Sequence, residues 1–394
     1  MWGSYFGESA GYAPGTEEIT LNRLDRNLRL AEGMAEDPSL LRWLAHAQSP
    51  EVAIADGIRS LEQLLHGKAL GPRGLQAYVV LLATRDGHPI GGYLSQIETP
   101  SSDSLDSSWW GIKIASENFT FPPTSITQAV RTRAILTGSI IWALGIFGLA
   151  FVPTALRCLR SAFRNKTRGY ASGWNPSLGL TVFLLATLAL IGFSGVIEVG
   201  IAQMPGISPV VAILLDTFTR VLPTLIALGL LFRKFSHIPR ATGLNGHIHP
   251  PVLIGIFSML VVIDQLLRWA LGSFISKDPT GGLSYGDSGI FGLVFLIVSA
   301  CLIAPLAEEI LYRGVLYRSL ANRAGVLAAA VISSLVFASL HFYDVYGLAS
   351  VATFGFVCAL LYQATGSLSN VVVLHMLYNA TILLPQWTIY HAPL

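Results

Sequence analysis

From Ala134 almost to the end of the chain, apolar residues run in long stretches broken only by short polar connectors. Eight such stretches are readable: Ala134 to Leu156, Leu178 to Ala202, Ile207 to Phe232, Val252 to Phe274, Ile290 to Leu306, Val326 to Phe342, Gly347 to Leu361 and Val371 to Trp387. Most approach or exceed the roughly 20 apolar residues that cross a bilayer as a helix. Helices are the expectation, because backbone polar groups have no water partner in hydrocarbon, and no short alternating strands of a membrane barrel are present. Residues 1 to 128 differ, mixing acids and bases with apolar residues. "LNRLDRNLRLAEGMAEDPSLLRWLAHA" has helical periodicity, whereas "LQAYVVLLATRDGHPIGGYL" reads as two strand-like runs around an Asp86-Gly87 turn, and "SSWWGIKIA" follows a Ser/Pro/Asp-rich connector. The pattern therefore predicts an all-α polytopic membrane protein with a small N-terminal soluble module, α+β or mainly helical.

Composition sharpens this. Of 394 residues, 52% are hydrophobic and 12% charged, about half the ~25% charged share of a soluble domain. A net charge of +2 points to no nucleic-acid partner. Three cysteines, Cys158, Cys301 and Cys358, suggest no disulfide framework, and "MWGSYFGESAGYAPGTEE" lacks the basic and apolar regions of a signal peptide. The chain divides into residues 1–128, a soluble module; 129–288, four leading membrane helices; and 289–390, a helical core carrying the chemistry.

Lys and Arg in the connectors orient the chain. Arg157, Arg160, Arg164, Lys166 and Arg168, then Arg233, Lys234 and Arg240, then Arg313, Arg318 and Arg323 fall on one side, against Arg131, Arg133 and Lys277 on the other. The first side is expected to be cytoplasmic, which leaves both termini and the N-terminal module outside.

Polar residues inside the core spans carry the candidate chemistry. Glu308 and Glu309 are neighbours about 100° apart on a helix, and Glu309 to Arg313 is an i,i+4 spacing at which the side chains meet. An intramembrane acid without such a partner finds one elsewhere or is protonated. The next span sets Phe337 and His341 one turn apart, and the last does the same for His375 and Asn379. Counted from a turn at "NRAG", Glu308 and His341 both lie roughly 22 to 26 Å along antiparallel helices at about 1.5 Å per residue, so the two can touch. His375 is shallower by roughly 12 Å on straight helices. Asp216 with Arg220, and Asp264 with Arg268, read as pairs that neutralise each other along one helix. Glu198 reads as an interfacial acid, and His247 and His249 as residues of a cytoplasmic loop.

"EEILYR", "FASLH" and "HMLYN", in that order, resemble the CAAX prenyl endopeptidases of the second type and their bacterial relatives, the CAAX proteases and bacteriocin-processing enzymes. The resemblance covers about residues 289 to 390. It implies an intramembrane endopeptidase in which Glu308 and His341 activate a water, His375 and Asn379 stabilise the oxyanion, and Glu309, Arg313 and Phe337 support them. It also implies a membrane-associated protein or peptide as substrate, and a bacterial cytoplasmic membrane as the setting. Members have also been regarded as metal enzymes; Glu308, His341 and His375 are acceptable ligand types for a divalent ion such as zinc with an open fourth position, although the H-E-x-x-H spacing is absent. Two other readings are a non-proteolytic scaffold or immunity-type protein of the same fold, and a proton-coupled transporter using the same acid and histidines as a relay.

Overall fold

The computed structural model describes residues 16–45, 47–91, 108–115, 125–164, 174–202, 209–232, 238–271, 289–341 and 345–390. Among these every regular element is a helix. The N-terminal module comprises α1 (Thr16–Gly33), α2 (Ser39–Leu44), α3 (Pro50–His66), α4 (Pro72–Asp86) and α5 (Trp109–Ala115).

The strand-like reading of residues 75 to 94 is corrected. Pro72 opens α4 at its first turn, and Gly87, at φ +67°, closes it by donating its N–H to the Ala83 carbonyl. The Asp86-Gly87 pair is thus a left-handed helix cap rather than a hairpin turn. Val79 and Val80 favour strands locally, but Ala77, Val80 and Leu81 bury one helix face against Leu24, Leu28, Ile58 and Leu61 of α1 and α3, and that packing decides the outcome. The second expected run lies outside the described residues beyond residue 91. "WWGIKIA" is helical, with Trp109 and Trp110 closing the same core.

The membrane part begins with α6 (Ser125–Gly148), which continues through a 3₁₀ turn, Leu149–Phe151, into α7 (Val152–Arg164). Then follow α8 (Pro176–Ala202), α9 (Pro209–Leu231), the short α10 (Ile238–Thr242) and α11 (Pro250–Ala270). The core consists of α12 (Gly289–Leu296), α13 (Ala304–Glu309) and α14 (Arg318–Ala324), joined end to end through two π-helical stretches, then α15 (Val326–Ser339), α16 (Val345–Thr365) and α17 (Leu368–Tyr390). Six helices are long and apolar enough to cross a membrane, and two apolar helices, Thr217–Leu231 and Val326–Ser339, are shorter. This is an integral membrane protein of all-helical build. Where they are described, the eight expected stretches lie mostly on helices, with Phe232, Leu271, Leu340 and His341 just past helix ends.

The path through the bundle is fixed by its ends. Leu30 of α1, Met34 just after it and Ala45 just after α2 pack against Val130 and Ala134 at the start of α6 and Ile389 at the end of α17. The module therefore sits on the side where the first span begins and the last one ends. Arg131 holds Asp37 with two parallel hydrogen bonds of 2.7 and 2.6 Å, which keep the Asp37 carboxyl below its ordinary range, so the pair stays ionised at neutral pH.

Two arginines counted as loop charges lie elsewhere. Arg313 and Arg318 are buried side chains within the long composite helix; Arg318 donates to the Ala241 carbonyl and lies over the Trp174 ring. Arg323 remains exposed, while 165–173 and 233–237 lie outside the described residues. Asp264 and Arg268 do not pair directly. Tyr346 and Ser350 both donate to Asp264 Oδ1 at 2.8 Å, and Arg268 donates to the Tyr346 hydroxyl at 3.2 Å, so a tyrosine on α16 bridges the two charges. The Asp216 side chain is not among those described.

Candidate active site

Pro305 explains the irregularity that shapes the site. Lacking an N–H and clashing with the carbonyl one turn back, it follows a π-helical stretch, Ile297–Ile303, that precedes the single regular turn Ala304–Glu309. In a π turn the bond runs to the fifth residue back, and for Pro305 that partner would be Ala300. The Ala300 carbonyl is instead met by the Asn379 side-chain amide at 2.8 Å. A second π stretch, Ile310–Tyr317, follows immediately. The acid pair thus sits on one α turn between two wider ones, a type of irregularity frequent at functional sites.

The two acids occupy opposite environments. Glu309 is 0% exposed, and its Oε1 accepts from Arg313 Nη1 at 2.9 Å and from His375 Nδ1 at 2.7 Å. The expected Glu309–Arg313 contact is therefore present, and His375 joins it. Glu308 keeps 20% of its side chain accessible, with Oε2 3.8 Å from His375 Nε2. That separation is too long for a hydrogen bond and short enough for one water, off the line between the atoms, to reach both.

His375 stands beside both glutamates rather than above them. The expected 12 Å offset disappears because the composite helix overshoots the turn before α17. Tyr317 donates to Gln363 at 3.0 Å, and a Cβ on Gly314 would touch Leu368, so Gly314 to Tyr317 are level with the α16–α17 turn. The "NRAG" turn, where Gly325 adopts φ +81°, protrudes beyond it by some ten residues of helix, about 12 to 15 Å. Measured from Leu368, the site lies about 10 Å inside the bundle.

His341 lies just past α15. Its Nδ1 is 2.7 Å from the Phe337 carbonyl; a carbonyl only accepts, so Nδ1 carries the proton and the neutral ring has its lone pair on Nε2. Phe337 joins the parts. Its ring meets those of His341, Tyr312 and His375 edge-on at 4.6, 4.8 and 6.0 Å, and the Arg313 guanidinium lies 4.5 Å from its centroid. Glu308, Glu309, Arg313, Phe337 and His375 are thereby in one cluster. His341 enters it through Phe337, and Asn379, one turn beyond His375, faces the Ala300 carbonyl.

Three residues here escaped the sequence reading. Tyr312 packs between Phe183 and Phe337. Phe354 sits 4.8 Å from His375 and stacks on Tyr378 at 4.6 Å. Gly355 lets α16 approach, since its carbonyl accepts from Arg313 Nη2 at 3.1 Å and a Cβ there would stand 3.1 Å from that nitrogen and 3.3 Å from the Phe337 ring. Only Tyr312 lay inside a noticed motif; Phe354 and Gly355 resemble any small and large pair in an apolar span. Gly355→Ala should cost about 1–3 kcal/mol by overpacking, read as a lowered melting midpoint, and should lower activity by tilting Arg313 and Phe337. An unchanged midpoint would show that α16 has room to move.

The metal expectation was tested against the donor set. Both histidines tie down Nδ1, an arrangement that turns Nε2 towards a ligand. Yet among the described residues no three His, Cys, Asp or Glu side chains converge closely enough to hold an ion. Glu308, His341 and His375 as placed do not form a metal site.

No curated protein and no solved structure matches the chain. Residues 290–381, the helices that build this cluster, match the model of the Rce1-like type II CAAX prenyl endopeptidase family, so this part of the chain is similar to a family of membrane-embedded proteases.

Proposed function

We propose that the protein is an intramembrane endopeptidase acting on a membrane-associated protein or peptide, with Glu308 as the base that activates water. The observation carrying this reading is the division between neighbouring carboxylates: Glu309 is enclosed and bound by Arg313 and His375, while Glu308 stays accessible at the same level. A carboxylate that a water can reach and that no cation ties down is placed to take a proton from that water and return it to the leaving group.

The reaction follows from these placements. A water between Glu308 and the histidines loses a proton to Glu308 as its oxygen bonds to the substrate carbonyl carbon. His341, with the Nε2 lone pair, shares that proton or orients the water. The oxyanion is met by His375 when its ring carries a hydrogen on Nε2 as well as the one on Nδ1 that it donates to Glu309, and by the Asn379 amide hydrogen not directed at Ala300. Preorganised donors of this kind contribute about 3 kcal/mol each. Glu308 then returns its proton to the amide nitrogen, the C–N bond breaks, and acid and amine leave.

The test is hydrolysis of lipid-anchored peptides by purified protein in nanodiscs. If Glu308 and His341 act on one water, Glu308→Gln, His341→Ala and the double variant should lose activity to nearly the same extent, because residues acting as a unit are strongly non-additive. Losses that multiply would assign the two residues to separate roles. Hydrolysis undiminished in all three would remove both residues from the reaction, and a parent protein that cleaves no such peptide would leave the scaffold reading in its place.

A further inference from the structure

The segment joining α1 to α3 follows the first span inwards. Contacts along α6 progress in order. Gly33 meets Thr127, where a Cβ would stand 2.8 Å from the threonine methyl. Next, Asp37 is clasped by Arg131. At Gly138 a Cβ would collide with the Leu44 carbonyl. Finally, the Trp43 and Trp142 rings stand 4.9 Å apart. The apolar stretch of this span starts at Ala134, so Gly138 and Trp142 lie about 6 and 12 Å inside it. The α2 turn is thus alongside the part of α6 that faces hydrocarbon, where Leu136, Ile140 and Leu144 are about half exposed.

α2 itself is built for that place. Leu40 is 63% exposed and Trp43 37% exposed, and no residue of the helix is buried. Pro38 precedes it and brings no N–H. The backbone closes on itself through Leu41 and Arg42 N–H to the Pro38 carbonyl, Ala45 N–H to Leu41 and Ala47 N–H to Arg42, which lowers the cost of leaving water. Glu36 and the Asp37–Arg131 pair stand at the polar end and the two tryptophans at the apolar end, the order found across a membrane interface. Arg42, within α2, has a long stem that lets its charged head lie towards Asp37 at the polar end.

We propose that α2 is a membrane-inserted anchor of the N-terminal module, with Leu40 and Trp43 embedded among lipid headgroups and acyl chains of the module-side leaflet. The partner is the bilayer, because the exposed face of α2 is continuous with the exposed apolar face of α6. An interfacial helix lies with its apolar face about 5–10 Å into the headgroup and acyl boundary, which is the depth that the Gly138 contact gives. The module is thereby held against the membrane on the side where α17 ends.

The experiment places single nitroxide labels in the full-length protein in phosphatidylcholine nanodiscs, with Cys158 replaced by alanine; Cys301 and Cys358 are buried and do not take the label. Positions are Leu40→Cys and Glu36→Cys, with Leu144→Cys as a lipid-facing control and Leu65→Cys on α3 as a water-facing one; all four side chains are exposed. At Leu40 collision with oxygen should exceed collision with a water-soluble nickel chelate severalfold, as at Leu144, with Glu36 intermediate and Leu65 reversed. An aqueous response at Leu40, matching Leu65, overturns the proposal. So does protection of Leu40 from both reagents, which would mean that a second copy of the chain covers it. Because the readout is collisional and independent of hydrolysis, it stands apart from the protease reading.

Discussion

Glu308→Gln should reduce peptide hydrolysis by about 10²–10⁴-fold, the usual range for loss of a general base, while the melting midpoint stays unchanged or rises. The two halves of this expectation come from one geometry. Gln keeps the shape of Glu308 and its hydrogen-bonding reach, but its amide cannot take a proton from water. The side chain makes no hydrogen bond within the described structure, its nearest charged neighbour being His375 Nε2 at 3.8 Å, so little native bonding is lost. An ionised carboxylate kept accessible within a helix bundle is a local cost to stability, and neutralising it relieves that cost. The measurement is a turnover assay and a melting curve on the same nanodisc preparation. Full activity in Glu308→Gln would remove this residue as the base, whatever the melting curve shows.

The distribution of apolar residues was enough to read a helical membrane protein, because hydrocarbon leaves the backbone few choices. Spacing inside single helices was equally legible. The Glu309–Arg313 contact and the placing of Phe337 against His341 are local consequences of helical periodicity, and both stand in the structure. What the sequence did not reveal depends on where one helix lies against another. Equal depth from a turn was assumed for every hairpin, and the overhang of the "NRAG" turn broke that assumption for His375. Arg313 and Arg318 count as loop charges when the fifth apolar stretch is ended at Leu306, although the helix runs on and buries both. In the module, two adjacent valines suggested a strand, whereas a core shared with α1 and α3 made a helix. Asn379 shows the same limit more finely. Its spacing from His375 marked it for the site, but its bond to Ala300 follows from Pro305 in another span.

Glu309→Gln should produce the opposite result to Glu308→Gln, lowering stability by about 3–5 kcal/mol, the range for breaking a buried ion pair from one side. Three groups lose by this change. Arg313, 1% exposed, would keep its charge but face only a neutral amide oxygen, the Gly355 carbonyl and the Phe337 ring. His375 would lose the carboxylate at Nδ1 that orients its ring, so activity should also fall, but as a consequence of misplacement. The amide nitrogen of the new glutamine would itself need an acceptor at the place of the second carboxylate oxygen of Glu309, which is buried without a hydrogen-bond partner. Arg313→Lys tests the same contact from the other side. Lysine restores the charge without the fork that reaches both Glu309 and Gly355, and so should destabilise by less than Glu309→Gln. The readout is the melting midpoint of each variant with hydrolysis measured well below it, where the folded fraction is high. If Glu309→Gln melts like the parent yet loses all turnover while Glu308→Gln unfolds, the enclosed acid is the reactive one and the accessible acid the structural one, with the two roles exchanged.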